Sequence, residues 1–443
     1  MPLSECSLEM LQQMRVRSVD ELFQDIPKEV RIDGLRLADG LSEIDLRREL
    51  ESMMSVNRAA SSMPSFLGAG IYNHFIPAAV RTIVSRSEFI TSYTPYQPEI
   101  SQGMLQSLFE YQSFMAELTA MDVVNSSMYD GSTALGEAVL MSHRISGGNR
   151  FLMSRAISPE KKGVARTYAK GADISLDEVA YDPLSGLVDL EDLRSRMNDS
   201  VTGFYFETPN FFGPIETRWD EIRRIVGQKT LVIGVNPLSL ALLKPAGEMG
   251  ADIVVGDAQV FGTPMNLGGP TIGLFGCKQE HVRKMPGRII GMTSDLEGRT
   301  SYCMTLQTRE QHIRRSKATS NICTNEALLA VAAAAHLAII GRSGLIDIAR
   351  RNVENMSSLS GRIASIKGFK APHFKATHFN EFVVTSNRDP DRIHRELLKR
   401  GVHGGMRLGE AFPELKDSTL YCTTEMHSKH DHDQLVSALE AIT

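Results

Sequence analysis

Four stretches of the chain hold residue types that could do chemistry. The stretch 257–270 reads Asp-Ala-Gln-Val-Phe-Gly-Thr-Pro-Met-Asn-Leu-Gly-Gly-Pro, a small-residue turn between two apolar runs, with Gln259 near its start. A primary amine at such a turn could form an imine with an aldehyde, an amide cannot, and the stretch holds no lysine. Taken alone, it also fits any Gly-rich turn of an α/β protein. The run 130–138 sets Ser132 and Thr133 at a helix start, whose free N–H groups and dipole suit a phosphate as well as an ordinary N-cap. The loop 92–103 carries Tyr93, Tyr96, Gln97, Glu99 and Gln102, with Pro95 and Pro98 stiffening its backbone. Such a loop can line a site or bind a partner, or simply turn the chain into the next helix. The segment 309–325 concentrates Arg309, Glu310, His312, Arg314, Arg315 and Lys317 ahead of a hydroxyl and amide run, a pattern that suits a solvated helix face or an interface.

The elements that must position these groups follow from periodicity. The runs 251–256 and 271–276 read as buried strands on either side of the Gln259 turn. From Phe151 onward, short apolar runs at 151–153, 202–206, 231–235, 253–255 and 272–275 alternate with helical stretches at 160–169, 190–197 and 219–226. That alternation predicts a mainly parallel sheet covered on both faces. Ser42 caps a predicted amphipathic helix bearing Leu46, Leu50, Met53 and Met54. A second helix runs through Met104, Leu105, Leu108, Phe109, Tyr111, Gln112, Met115, Leu118 and Met121. A long helical region to about Ile366 precedes strands near 379–384 and 420–423 and helices at 389–400 and 431–442, which together suggest a small α+β domain. The expected organisation is an N-terminal helical segment at 1–65, a large α/β domain at 66–325, and a connecting helix with the small domain at 326–443. No internal repeat or low-complexity tract interrupts it.

Composition narrows the function classes. With 443 residues, 42% hydrophobic and 23% charged, the chain is long enough for a sizeable core and unlike a disordered one. A net charge of −5 offers no footprint for nucleic acid or an anionic membrane. Cys6, Cys277, Cys303, Cys323 and Cys422 are scattered, without the spacing of a zinc site or a disulfide framework. The N-terminus lacks a basic region followed by an apolar core, so no signal or transit peptide is expected. The apolar run 328–340 falls short of the ~20 residues of a bilayer span. The expected location is the cytoplasm.

The order of these parts resembles the large pyridoxal-phosphate enzymes of the aspartate-aminotransferase type, and one family among them closely. Phe66-Leu67-Gly68-Ala69-Gly70 with Tyr72-Asn73-His74, the run 94–103, Asp122-Val123-Val124-Asn125 with Ser127-Met128-Tyr129-Asp130, and Arg309-Glu310-Gln311-His312-Ile313-Arg314-Arg315 are similar to the glycine decarboxylase, or P-protein, of the glycine cleavage system. The resemblance implies the fold of type I pyridoxal-phosphate-dependent transferases. In this family the enzyme is one long chain of two homologous halves or two separate subunits, and 443 residues matches the N-terminal half, subunit 1. The other half carries the imine lysine in an Asn-Leu-His-Lys-Thr type of loop. Matching its Thr-Pro and Gly-Gly-Pro to Thr263-Pro264 and Gly268-Gly269-Pro270 puts Gln259 at the lysine position. The acidic partner of the pyridine nitrogen is replaced by Asn236, which would not hold the ring protonated.

The resemblance thus implies a chain that decarboxylates glycine only with a lysine-bearing subunit 2. That partner would hold pyridoxal phosphate, and the aminomethyl group would pass to the oxidised lipoyl arm of the H-protein. Ser132, Thr133, Asn236 and Gln259 would form a vestigial cofactor pocket. Asn73, His74, Tyr93, Tyr96, Gln97, Glu99 and Gln102 would help form the subunit interface near the mouth of the partner's site, although a histidine such as His74 is more often structural. Two rival readings remain open here: an independent enzyme using Lys244 or Lys278 as its imine lysine, and a purely architectural subunit.

Overall fold

The computed structural model describes residues 5–32, 34–59, 62–319, 322 and 325–442. Cys323 lies outside them, as does the side chain of Cys6. The chain divides into two compact units, Met1–Ala59 and Ala60–Thr443.

The first unit holds helices Glu5–Gln13 and Glu43–Met54 with short 3-10 turns between. Ser42 caps the second helix as expected, its hydroxyl accepting from the Asp45 N–H at 3.2 Å. The apolar face predicted on this helix finds nothing to pack on within the unit. None of its residues is buried, and Leu46, Leu50, Met53 and Met54 are 46%, 49%, 59% and 63% exposed.

The second unit is built on a seven-stranded sheet of β1 (Val123–Val124), β2 (Arg150–Ser154), β3 (Ser175–Val179), β4 (Val201–Glu207), β5 (Thr230–Val235), β6 (Ile253–Asp257) and β7 (Gly273–Cys277). Their spatial order is β1-β7-β6-β5-β4-β2-β3. Neighbours from β6 through β3 pair in parallel, while β7 runs antiparallel to both β6 and β1. Successive strand residues point to opposite faces, and both faces are buried. Phe204, Phe206, Leu231, Ile233 and Val254 enter one core with helices Gln102–Thr119 and Ala327–Ala364. Tyr205, Val232, Ile253 and Val255 enter the other with helices Gly131–Ser146 and Pro159–Gly171. Such double burial explains why β4, β5 and β6 read as continuous apolar runs.

The long region after Asn325 is helix Ala327–Ala364, kinked at Gly341, whose φ of 65° and ψ of −179° divide it into two segments. It is long and apolar enough to cross a membrane by length and composition, beyond what the run 328–340 suggested. Fifteen of its described residues nonetheless pack into the interior, among them Ala330, Ala333, Leu345, Ala349 and Leu359.

In chain order, a hairpin absent from the sequence reading, β8 (Ile289–Ser294) and β9 (Thr300–Thr305), follows β7 and precedes this helix. Strands β10 (Phe369–Lys370), β11 (Glu381–Ser386), β12 (Met406–Arg407) and β13 (Ser418–Cys422) form an antiparallel sheet in the order β10-β11-β13-β12. On one face Phe382 and Val384 pack with Leu397 and Leu435 of the small-domain helices, and on the other Val383 and Leu420 meet the aromatic cluster of Phe211, Phe212, Phe374 and Phe412. The strand expected at 379–384 begins two residues later, at Glu381, which frees Asn380 and the Glu381 carboxyl for the site below.

Candidate functional site

The carboxyl ends of β4, β5 and β6 converge at a cavity of about 50 Å³ lined by Glu207, Asn236 and Asp257, with Ser158 and Lys161 from the adjoining helix and Ala69, Tyr72, Asn380 and Glu381 closing the far side. Ligands of open α/β sheets bind at such strand ends. Here the protein's own side chains occupy most of the space.

Gln259 is 1% exposed and engaged at both ends of its amide. Its Oε1 accepts from the Tyr72 N–H at 3.0 Å, and its Nε2 donates to the Tyr72 carbonyl at 2.9 Å and to the Thr263 carbonyl at 2.8 Å. It works as a clamp between the Gly-rich turn and the segment 66–74. Two residues earlier, the Asp257 carboxylate accepts from the Gly131 N–H at 3.0 Å, the Thr271 hydroxyl at 2.7 Å and the Gln259 N–H at 2.9 Å. It is thus seated on the start of helix Gly131–Ser146. Asp130 caps the same start, and the Thr133 hydroxyl closes a capping box with it. Two carboxylates therefore already answer the positive helix end that an external phosphate would need. Burial raises the Asp257 pKa above the ordinary carboxylate range, and its hydrogen bonds oppose that only in part.

Lys161 supplies the cavity's one amine, and it pairs with the Glu207 carboxylate, which also accepts from the Tyr205 hydroxyl at 2.6 Å. Burial would lower the lysine pKa, but Glu207, reinforced by Asp257 and Glu381, more than offsets this and holds the ammonium charged. A charged ammonium is no nucleophile. Across the cavity, Glu381 accepts from the Ala69 N–H at 2.6 Å and from the Tyr72 hydroxyl at 2.8 Å, while burial lifts its pKa to about 7. The approach is close enough that a Cβ at Gly68 would stand 2.7 Å from the Glu381 carboxylate and 2.5 Å from the Cys422 Cβ, so no side chain fits there.

Three carboxyls against one lysine, a filled helix start and about 50 Å³ of space do not fit pyridoxal phosphate. Asn236 spends its Oδ1 on the Leu238 N–H, and its buried Nδ2 finds no partner. Neither rival lysine reaches the cavity: Lys278 pairs with Asp252, and Lys244 lies 4.5 Å over the Trp219 ring.

The model of the glycine cleavage system P-protein family matches residues 2–439. This chain belongs to that family. It is 46% identical to the probable glycine dehydrogenase (decarboxylating) subunit 1 of Pyrococcus abyssi, covering 100% of this chain and 98% of that protein. The corresponding protein of Desulforamulus reducens is 44% identical over 98% and 97% of the two chains. A crystal structure of glycine decarboxylase (P-protein) of the glycine cleavage system in inhibitor-bound form superposes with a TM-score of 0.91 at 36% identity, covering 100% of this chain and 99% of that one. A Burkholderia pseudomallei sphingosine-1-phosphate lyase, at TM-score 0.66 and 15% identity over 93% of each chain, shares the fold alone. The fold is that of type I pyridoxal-phosphate-dependent enzymes, as the sequence implied.

In this P-protein-family chain the candidate residues fall into separate places. Asn236 lines the cavity, Gln259 braces its wall, and Thr133 and its neighbour Ser132 stand at the helix start beside Asp257. His74 is buried, with Nδ1 2.9 Å from a Glu425 carboxylate that also accepts from the Phe75 N–H and the Asn352 amide. Burial alone would raise the Glu425 pKa, yet the His74 contact and these hydrogen bonds hold it at about 2. Asn73 is exposed and lines a shallow cleft with Met265 and Met426.

Tyr93, Tyr96, Gln97, Glu99 and Gln102 line none of the cavity; Tyr96 and Gln102 are instead tied to Arg288 and Tyr302. The Tyr96 hydroxyl accepts from Arg288 at 2.9 Å, and that guanidinium lies 5.2 Å from the ring centroid. Gln102 clamps β9, donating to the Tyr302 carbonyl at 2.9 Å and accepting from its N–H at 2.8 Å. Tyr93, Gln97 and Glu99 are exposed. Among the described residues of 309–325, a four-residue helix, Gln311–Arg314, and short 3-10 turns form; Arg309 is buried while Arg314, Arg315 and Lys317 are exposed, and residues 320, 321, 323 and 324 lie outside those described. The sequence reading missed Lys161, Glu207, Tyr205 and Glu381. Glu207 was within reach, as a carboxylate at the last position of a parallel strand.

Proposed function

We propose that this chain is the non-catalytic subunit of a split glycine decarboxylase. Its partner is a lysine-bearing subunit that holds pyridoxal phosphate, and the assembly decarboxylates glycine and passes the aminomethyl group to a lipoylated H-protein in the cytoplasm. The observation that carries this reading is Gln259, hydrogen-bonded through its whole amide where an imine needs a free amine. Support for an obligate partner comes from the unburied apolar face of helix Glu43–Met54 and from the names of the relatives, which are first members of a two-subunit enzyme.

The chain's own contribution is to position and to cover. The loop bearing Tyr96 and Gln97 is held rigid by Arg288 and by Gln102, so its exposed tips form a preorganised edge of the assembly near the partner's site. Lipoyl transfer is an oxidation of the aminomethyl carbon by the disulfide, which the partner and the H-protein supply between them.

Glycine-dependent exchange of labelled carbon dioxide, with H-protein present, tests the proposal on this chain alone, the partner alone and the two together. Activity is expected only in the mixture; activity from this chain alone would overturn the reading of Gln259. A partner with normal glycine kinetics in the absence of this chain would instead favour the purely architectural role. Alanine at Tyr96 and Gln97 is expected to impair assembly or turnover, and an unchanged enzyme would remove the loop from the site.

A further inference from the structure

A second cavity of about 120 Å³ shares no residue with the first and is lined by Arg283, Leu306, Thr308, Arg309, Arg314, Lys317 and Thr319. Four cationic side chains and two hydroxyls meet there, and no carboxylate lines it. Arg309 is 5% exposed, and its guanidinium is fixed by donating to the carbonyls of Leu306 at 3.2 Å, Gly287 at 2.9 Å and Met285. Those bonds orient the group without cancelling its charge. The neighbouring Glu310 turns toward His312, 3.6 Å away, and does not line the cavity.

Among the described residues, Arg283, Arg314 and Lys317 have no carboxylate partner, and the Thr319 hydroxyl is buried with no hydrogen-bond partner. The Thr319 N–H donates to the Arg309 carbonyl at 3.0 Å, which draws the two ends of the segment together. Four like charges around one small space repel one another unless an anion enters. An orphaned hydroxyl beside them offers that anion a further donor.

We propose that this cavity is a binding site for a phosphate-class oxyanion, either free phosphate or the terminal phosphate of a small monoester. A phosphomonoester carries about −1.5 to −2 charges and three acceptor oxygens, which suits several cations and a hydroxyl better than a single carboxylate does. A space of about 120 Å³ is enough to admit one such group. Arginine predominates among the cations, in keeping with recognition of a multi-oxygen anion by forked donors. The site rests on these residues alone and stands whether or not the chain is catalytic.

The test is calorimetric titration of the full chain, co-purified with its partner, with inorganic phosphate, with glycerol phosphate and with acetate, at about 50 mM salt to limit screening. One saturable phosphate site per chain is expected. Arg314→Ala with Lys317→Ala should weaken it by about tenfold or more, and Thr319→Val by a few-fold, as expected for lost charge-assisted and neutral hydrogen bonds. Both charged side chains are exposed, so their removal leaves the fold intact. Tighter binding of glycerol phosphate supports an esterified ligand, and equal or weaker binding supports free phosphate. The absence of a saturable site, identical isotherms for the wild type and the double variant, or acetate binding as tightly as phosphate would each overturn the proposal.

Discussion

Replacing Gln259 by glutamate isolates the clamp with almost no change of shape. The wild-type amide accepts one N–H and donates to two carbonyls. A protonated glutamic acid keeps the acceptor and one donor, so the loss at low pH is one hydrogen bond, about 1 kcal/mol. An ionised one turns a bare oxygen toward the Tyr72 and Thr263 carbonyls, close to the buried Asp257 carboxyl. The folded protein therefore favours the protonated form, as it does for the buried Glu381, whose pKa is pushed to about 7. A similar rise from ~4.3 in the unfolded chain is a shift of about 2.7 units, worth about 3.7 kcal/mol at ~1.36 kcal/mol per unit. An acid whose folded pKa is raised costs nothing below its unfolded value. Its penalty grows as pH climbs between the two pKa values and is constant above the folded one. Summed with the lost hydrogen bond, the deficit of Gln259→Glu against the wild type is about 2 kcal/mol at pH 5 and about 4–5 kcal/mol at pH 8. Urea unfolding at both pH values, followed by the fluorescence of Trp219, the only tryptophan, measures it. An equal gap at pH 5 and pH 8 would refute the hydrogen-bond assignment.

Three further outcomes follow from the same geometry. The raised pKa of Glu381 means that wild-type stability falls as pH rises from ~4.3 toward 7; Glu381→Gln should remove about 3 kcal/mol of that fall, read from unfolding midpoints across the range. Lys161→Met leaves the buried Glu207 carboxylate without its cation and should cost about 2–4 kcal/mol, with Glu207→Gln in the same background restoring part of it in a double-mutant cycle. Leu46→Glu with Leu50→Glu should change the stability of the isolated chain by no more than about 0.5 kcal/mol per site. The same pair should weaken co-purification with the partner subunit, and an unaffected assembly would show that this helix face is not covered there.

The large sheet was legible because its strands are buried on both faces, so that Phe204 to Phe206 and Leu231 to Ile233 stand out as apolar runs against the polar helices between them. The β8–β9 hairpin was not. Its pattern of Ile289 and Ile290 buried, then Met292 and Thr293 exposed, follows neither a clean alternation nor a continuous run. Ser42 announced its helix because caps are local chemistry, and the helix start at 130–138 was read from Ser132 and Thr133, although the cap there is Asp130. At the site, Gln259 was visible as a missing amine, but its clamp on Tyr72 spans 187 positions and leaves no sequence signal. Lys161 reads as one more charge in a polar helix start until β4 brings Glu207 against it. The loop with Tyr96 was recognised by its density of aromatic and amide groups, whereas its anchor at Arg288 depends on a contact across 192 positions.

The carboxylate of Asp257 on the start of helix Gly131–Ser146 has a consequence for the history and the engineering of this chain. An external anion could occupy that helix start only if Asp257 left it. Without Asp257, the Gly131 N–H and the Thr271 hydroxyl would lose their acceptor before any newcomer was bound. Installing a lysine at 259 would in turn take the acceptor from the Tyr72 N–H. Each single step toward a working pocket thus passes through a less stable protein, with the gain arriving only when all are in place. The inward-folded site behaves as a ratchet: from a pocket filled in this way by Asp257 and Gln259, single point mutations do not readily lead to an open one.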